Sequence, residues 1–258
     1  MTRKRQLPDK AFLDPRYEVV AYAFDLPHRH QIPEHGHSRD QLVYAQTGVM
    51  TVTTASGTWV VPPNRALWMP AGVRHRIRIS GRVEMRTLYL RKGVAKSLPR
   101  TCAVVAVPPL LRELILYVVS AGTVSRRRAS DRGVLDFLMI CLKALSTIPL
   151  HVPMPGDPRI RRIADWLASN PANKQTLSDL AARAGVSERT IERLFIADTG
   201  LTFRHWRQQV RLLKSQELLA AGKNVTTVAL DVGYDSTSAF IAAFRKAFNQ
   251  TPRGYFRS

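Results

Sequence analysis

The strongest constraint on this chain is a pattern written twice near its C-terminus. The first copy reads Leu180-Ala181, Gly185, Ser187, Ile191, Leu194-Phe195, Thr202-Phe203 and Trp206. The second reads Val228-Ala229, Gly233, Ser236, Phe240, Phe244, Thr251-Pro252 and Tyr255. From the serines onward one offset relates them: Ile191 answers Phe240, Phe195 answers Phe244 and Thr202 answers Thr251. Repeated apolar spacing implies two similar supersecondary units.

Each unit predicts a helix, a turn and a second helix. Ala181 and Ala229 are small enough for two helices to cross closely, and Gly185 and Gly233 fall at the turn, where a left-handed backbone favours Gly. Ser187 and Ser236 suit the N-cap of the following helix. Ile191, Leu194 and Phe195 share one helical face, as do Phe240 and Phe244. That is the outline of a helix-turn-helix, whose second helix enters a DNA major groove. An ordinary helical bundle with a recurring hairpin is the bland alternative; two copies in register with basic outward faces argue against it.

Leu180-Ala181, Gly185-Val186-Ser187, Arg193-Leu194-Phe195, Gly200-Leu201-Thr202-Phe203, Arg211, Val228-Ala229, Gly233-Tyr234, Phe240, Phe244 and Thr251-Pro252-Arg253-Gly254-Tyr255 resemble the DNA-binding domain of the AraC/XylS family of bacterial transcription regulators. The resemblance covers nearly all of 160–257. It implies double-stranded promoter DNA as partner, with RNA polymerase as a further possible contact.

Net charge agrees with a polyanionic partner. The 258 residues carry a formal charge of +20, which favours nucleic acid. The part before residue 157 holds the larger share of it. Cys102 and Cys141 sit in apolar contexts and read as buried thiols without a disulfide framework. The basic start lacks a signal-peptide core, and no apolar run approaches eighteen residues, so the expected location is the cytoplasm.

The predicted fold class is α+β with two domains. Residues 1–15 read as disordered or loosely attached. Residues 16–100 contain short runs rich in β-branched and aromatic residues, broken by Gly, Pro or Asn, which predict a sandwich or barrel. Pro109 to Ala121 and Arg132 to Ile148 have helical apolar spacing. Within 101–148 they are expected to pack on the barrel and, by the family resemblance, to pair two copies into a homodimer. The triplet Arg126-Arg127-Arg128 between them predicts a solvated turn. Residues 149–157 read as a Pro-rich extended linker. Residues 158–258 form the all-α DNA-binding domain, with helix-turn-helix motifs at about 177–198 and 225–248. Between them Phe203 to Ala221 predicts one helix of roughly 28 Å, a spacer that suits two successive major grooves about 34 Å apart.

In the N-terminal part, His35-Gly36-His37, Gln41 and Gly48, followed by Pro70-Ala71-Gly72-Val73-Arg74-His75, resemble the two motifs of cupin barrels. Two apart on a strand, His35 and His37 would face one side. With His75 they could offer three imidazoles to Zn, Ni, Cu, Mn or Fe. The sequence departs from the motif at Gln41, where a Glu ligand is expected, and at Ile79, where Asn is expected. A metal-free pocket for a small organic effector is the first expectation, with His35, His37, Gln41, Tyr44, Trp59, Trp68 and His75 as wall residues. A metal held by His35, His37, Gln41 and His75 is the alternative, either in a metal-responsive regulator or in a metal-dependent cupin enzyme. No enzymatic activity is expected. Alternation places Arg74, Arg76 and Arg78 on the solvent face, opposite His75.

Base reading is expected from Ser187, Glu188, Arg189, Thr190, Glu192 and Arg193 in the first unit. In the second it falls to Ser236, Thr237, Ser238, Ile241, Ala242, Arg245 and Lys246, with Ala242 in the place of Arg193. Arg204, Arg207, Lys214 and Arg253 are further phosphate candidates.

Overall fold

A computed structural model describes residues 10–96, 98–148 and 150–256. The chain divides into two compact units. One takes residues through Thr54 and Val61–Pro149; the other takes Ala55–Val60 and everything from Leu150 onward.

The first unit opens with a helical turn, α1 (Lys10–Leu13), and then runs through strands β1 (Val19–Leu26), β2 (Gln31–His35), β3 (Asp40–Ala45) and β4 (Val49–Thr54). After β5 (Gly57–Val61), which falls to the second unit as far as Val60, come β6 (Arg65–Met69), β7 (His75–Ser80), β8 (Val83–Leu90) and β9 (Ala103–Ala106). Helix α2 (Pro109–Ala121), β10 (Thr123–Val124), α3 (Ala129–Lys143) and β11 (Thr147–Ile148) complete it. One sheet has the order β10-β1-β8-β3-β6-β9-β11. A second places β7 between β4 and β2. This is the sheet-rich, cupin-like half of the expected two-domain α+β fold.

Strand alternation sorts the first sheet's side chains into two sets. Leu42, Tyr44, Ala66, Trp68, Leu88 and Leu90 join Leu111, Ile115, Val118, Leu135, Leu138 and Leu142 of α2 and α3 in one core. Each such fully buried aliphatic side chain contributes ~1.5–3 kcal/mol. The opposite set, including Gln41 and Tyr89 paired across β3 and β8, faces the barrel interior.

Four expectations need correction here. Residues 10–15 are not loosely attached, because Phe12 is buried against Tyr89 with ring centroids 5.0 Å apart. Arg39 also donates to the carbonyls of Phe12, Asp14 and Tyr17; the expectation for 1–9 lies outside the described residues. The second helix covers Ala129–Lys143, and β-branched Thr147 and Ile148 pair instead with Val105 and Val104. Within the extended linker expected at 149–157, of which 149 lies outside the described residues, there is a paired strand: β12 (His151–Pro153) runs antiparallel to β5, His151 opposite Trp59. Cys102 and Cys141 are free but only half-buried. Arg126, Arg127 and Arg128 do form an exposed turn.

The second unit continues with helices α4 (Pro158–Ser169), α5 (Leu177–Ala184), α6 (Glu188–Thr199) and α7 (Phe203–Ala220). Then come α8 (Val225–Asp231), α9 (Thr237–Phe248) and α10 (Pro252–Tyr255). Local chemistry fixes where each begins. Asp157, Thr176, Ser187, Thr202, Asn224, Ser236 and Thr251 each accept a backbone N–H of the following turn, and each such cap contributes ~1 kcal/mol. Thr176 and Asp179 form a reciprocal capping box. Gly185 ends α5 at φ 66°, a left-handed conformation that favours glycine. The first helix-turn-helix closes around Ile191, Phe195 and Trp206, the rings of Phe195 and Trp206 being 5.2 Å apart. The second closes around Val228, Ala229, Phe240, Phe244 and Tyr255.

Candidate nucleic-acid interface and sensor pocket

The repeat places two equivalent helices, α6 and α9, at the same position in two helix-turn-helix motifs. Ile191 and Phe195 are buried on α6, as are Phe240 and Phe244 on α9. The opposite faces are open: Glu188, Arg189 and Arg193 on α6, and Ser238, Ala242, Arg245 and Lys246 on α9. Ser238, Ile241, Ala242, Arg245, Lys246 and Asn249 line a shallow surface hollow.

Not every predicted reader is free. Ser187 and Ser236 spend their hydroxyls on the N–H groups of Thr190 and Ala239. Thr190 lies 2.9 Å from the Ser187 hydroxyl. The Glu192 carboxylate accepts from the Phe203 backbone N–H at 3.2 Å, at the first turn of α7. It sits at a helix N-terminus, where a negative charge is stabilising.

Two arginines of α7 serve the scaffold. Arg207 donates to the carbonyls of Gln175 (2.7 Å) and Asn173. Burial and the neighbouring Arg211 lower its pKa from the usual arginine value. Arg211 donates to Pro171 (3.1 Å) and Asn173 (3.2 Å) and lies 6.0 Å from the Tyr234 ring. Arg207 is therefore committed to holding the 171–175 loop, and Lys214 pairs with Glu217 at 2.7 Å. Among the phosphate candidates, Arg204 and Arg253 remain exposed.

In the sensor, His35 ends β2 opposite His75 at the start of β7, with ring centroids 4.3 Å apart. His37 lies just beyond the strand rather than on it, yet its ring is 6.0 Å from His35 and 5.3 Å from His75. One ring nitrogen from each of the three lies within 4.8 Å of the others. The Nδ1 atoms contact the carbonyls of Pro33 (2.9 Å), Arg39 (2.9 Å) and Val73 (3.0 Å). A carbonyl only accepts, so each Nδ1 carries the proton and donates it, which leaves Nε2 as a lone pair in the neutral ring.

His75 is fully buried, and its Nε2 has no hydrogen-bond partner among the described residues. Burial pushes its pKa down to about 4, opposed by the bond to Val73. Burial lowers His37 as well. His37 Nε2 lies 2.8 Å from the Gln41 amide, whose other end is 2.9 Å from Thr87 Oγ1. With Nδ1–H already given to Arg39, the neutral ring accepts at Nε2. The Gln41 atom facing His37 is Oε1, while its Nε2 donates to Thr87 Oγ1; a ring that accepts at Nε2 therefore requires the amide turned over, N–H toward His37 and oxygen toward the Thr87 hydroxyl.

Of the seven predicted pocket residues, the fold brings together His35, His37, Gln41 and His75. Tyr44 and Trp68 are excluded, because they occupy the strand face packed under α2 and α3. Trp59 is excluded too: it belongs to the second unit, where it stacks on His151, 4.3 Å and 14° between planes. The aromatic wall is instead Tyr89, 4.9 Å from His37, with Phe12 at 6.2 Å. Strand parity relative to Gln41 could have suggested Thr87 and Tyr89 once the register was known. Arg74, Arg76 and Arg78 are exposed as expected.

Comparison with known proteins gives concordant matches. The family described as an AraC-like ligand binding domain matches residues 19–135, and the helix-turn-helix domain family matches 180–258. The HTH-type transcriptional regulator NimR of Escherichia coli strain K12 is 36% identical over 223 residues, covering 86% of this chain and 81% of its own. The HTH-type transcriptional regulator RipA of Corynebacterium glutamicum is 38% identical over 100 residues, covering 39% of this chain and 30% of its own. Among solved structures, the C-terminal domain of AraT from Geobacillus stearothermophilus is 29% identical with a TM-score of 0.37, covering 39% of this chain and 85% of that one. No helix among the described residues is long and apolar enough to cross a membrane.

Proposed function

The chain belongs to the AraC family of effector-controlled, DNA-binding transcription regulators, and on that premise we propose how it does so. The exposed starts of α6 and α9 grip operator DNA, and a small molecule held beside His35, His37, Gln41 and His75 controls the grip. The observation that carries the DNA half is the open pair Arg189 and Arg193, one turn apart, on a helix whose other face is buried. Each guanidinium can bond bidentately to guanine O6 and N7. Control requires the effector to favour one arrangement of the protein over another.

The working unit is a homodimer in the cytoplasm. Leu110 and Tyr117 on α2 and Phe137 and Ile140 on α3 are large apolar side chains left exposed, which supports pairing of two copies through these helices. The histidine set is sensory rather than catalytic, since it shares a chain with a duplicated groove reader. The decisive experiment selects bound duplexes from a random pool with full-length protein, then measures affinity for the selected site. Enrichment of one sequence, lost in Arg189→Ala/Arg193→Ala protein, supports the reading; uniform binding of all duplexes would sink it.

A second reading is favoured by the three clustered imidazoles, one ring nitrogen of each lying within 4.8 Å of the others. Three imidazoles with their Nδ1 atoms against backbone carbonyls are the donor set and outer-shell support that a Zn, Ni, Cu, Mn or Fe ion requires. His35, His37 and His75 would hold it, with the Gln41 amide, its oxygen facing the ion, as a neutral fourth donor. The ion would supply charge and a cross-link between β2, the loop after it and β7. Dialysis against zinc or nickel followed by elemental analysis tests this. About one equivalent, lost in the triple His→Ala variant, supports a metal-responsive regulator; trace metal in both retires it.

A further inference from the structure

The two reading helices share a fold and invert their chemistry. With Ile191 and Phe195 in the places of Phe240 and Phe244, Arg189 corresponds to Ser238, Arg193 to Ala242, and Ile196 to Arg245. On α6 the long cations stand in the first two turns, and an apolar residue, Ile196, is 51% exposed in the third. On α9 the first two turns carry only short or apolar outward residues, Ser238, Ala239, Ile241 and Ala242. Arg245 and Lys246 come in the last turn. Ser238, Ile241, Ala242, Arg245 and Lys246 line the shallow hollow on α9 with Asn249.

The first turns of a groove-reading helix meet base edges. Ala and Ile offer neither donor nor acceptor. Against guanine O6 or cytosine N4 they would strip water and return no hydrogen bond. The one major-groove group that matches them is the C5-methyl of thymine. We propose that α9 selects thymine through contacts of Ile241 and Ala242 with base methyls, while Arg245 and Lys246 hold phosphates. The operator is then asymmetric, with guanine under α6 and thymine under α9. This rests on the reading that both helices enter the major groove.

The test uses full-length protein and the duplex selected from a random pool. The α9 segment is the part still protected when Arg193→Ala protein binds. Each thymine there is replaced by deoxyuridine, which lacks only the methyl. Affinity should fall about fourfold per contacted methyl, with less than about a twofold change for thymines elsewhere. Ala242→Arg protein, put through the same selection, should exchange one thymine for guanine. Undiminished binding to the fully uracil-substituted segment, or unchanged preferences with Ala242→Arg, overturns thymine selection and leaves groove reading standing. Failure of the wild type to enrich any sequence overturns groove reading itself, and this inference with it.

Discussion

Trp206, fully buried in α7, donates its indole N–H to the carbonyl of Pro153 at 2.7 Å. A Pro-rich segment that reads as an extended linker is thereby fastened to the core of the first helix-turn-helix. Replacing Trp206 with Phe keeps a ring beside Phe195 but leaves that carbonyl without its partner. The expected cost is ~1 kcal/mol for the lost bond to a half-buried acceptor, read as a lowered thermal midpoint. An unchanged midpoint would mean that water replaces the indole at no cost.

Arg193 is exposed on α6 one turn after Arg189. Arg193→Ala should weaken binding to the selected operator by ~1–3 kcal/mol and relax preference at one or two base pairs. Titration against the operator and against single-base variants checks both halves. A uniform loss on all sequences would reassign this arginine to phosphate contact.

Gly233 sits at φ 88°, and a Cβ placed there would meet the Cα of Ala172 at 2.8 Å and Arg211 at 3.0 Å. Backbone cannot step aside cheaply, and the conformation is itself strained for L side chains. Gly233→Ala should destabilise the second unit by ~1–3 kcal/mol and disturb the contacts of Arg211 with the 171–175 loop. Denaturant unfolding measures this; Gly185→Ala, where a Cβ meets nothing within 4 Å, is the control and should cost less.

His151 stacks on Trp59, and burial pushes its pKa down to about 4 against a bond near Ser56 that raises it. The unfolded side chain titrates near 6.5. Between those values the unfolded chain holds the proton and the folded chain does not. The stabilising contribution is therefore whole above about pH 6.5 and declines as the pH falls to about 4. Stability measured at pH 7 and pH 5 should drop less in His151→Phe than in wild type. Equal drops would show that this imidazole is already solvated.

The DNA-binding half was legible because its signals are local. Ser187, Ser236, Thr202 and Thr251 cap helices within three residues of themselves, and Phe240 and Phe244 share a face by helical geometry alone. The same locality made His35, His37 and His75 visible through short motifs. It could not place Tyr44 or Trp68. On a strand buried on both faces, composition does not distinguish the side under α2 and α3 from the side facing Gln41. Nor could it reveal that Glu192 meets the Phe203 N–H, since that contact joins two helices.

By itself, then, the sequence determined the duplicated motif, its caps and the three imidazoles, because hydrogen bonds and apolar spacing within a few residues encode them. Tertiary structure alone decided that Arg207 holds carbonyls rather than phosphate, that Tyr89 and Thr87 complete the histidine pocket, and that Trp206 anchors Pro153. Those pairings join positions tens of residues apart, and only the packed core brings such groups within hydrogen-bonding or van der Waals reach.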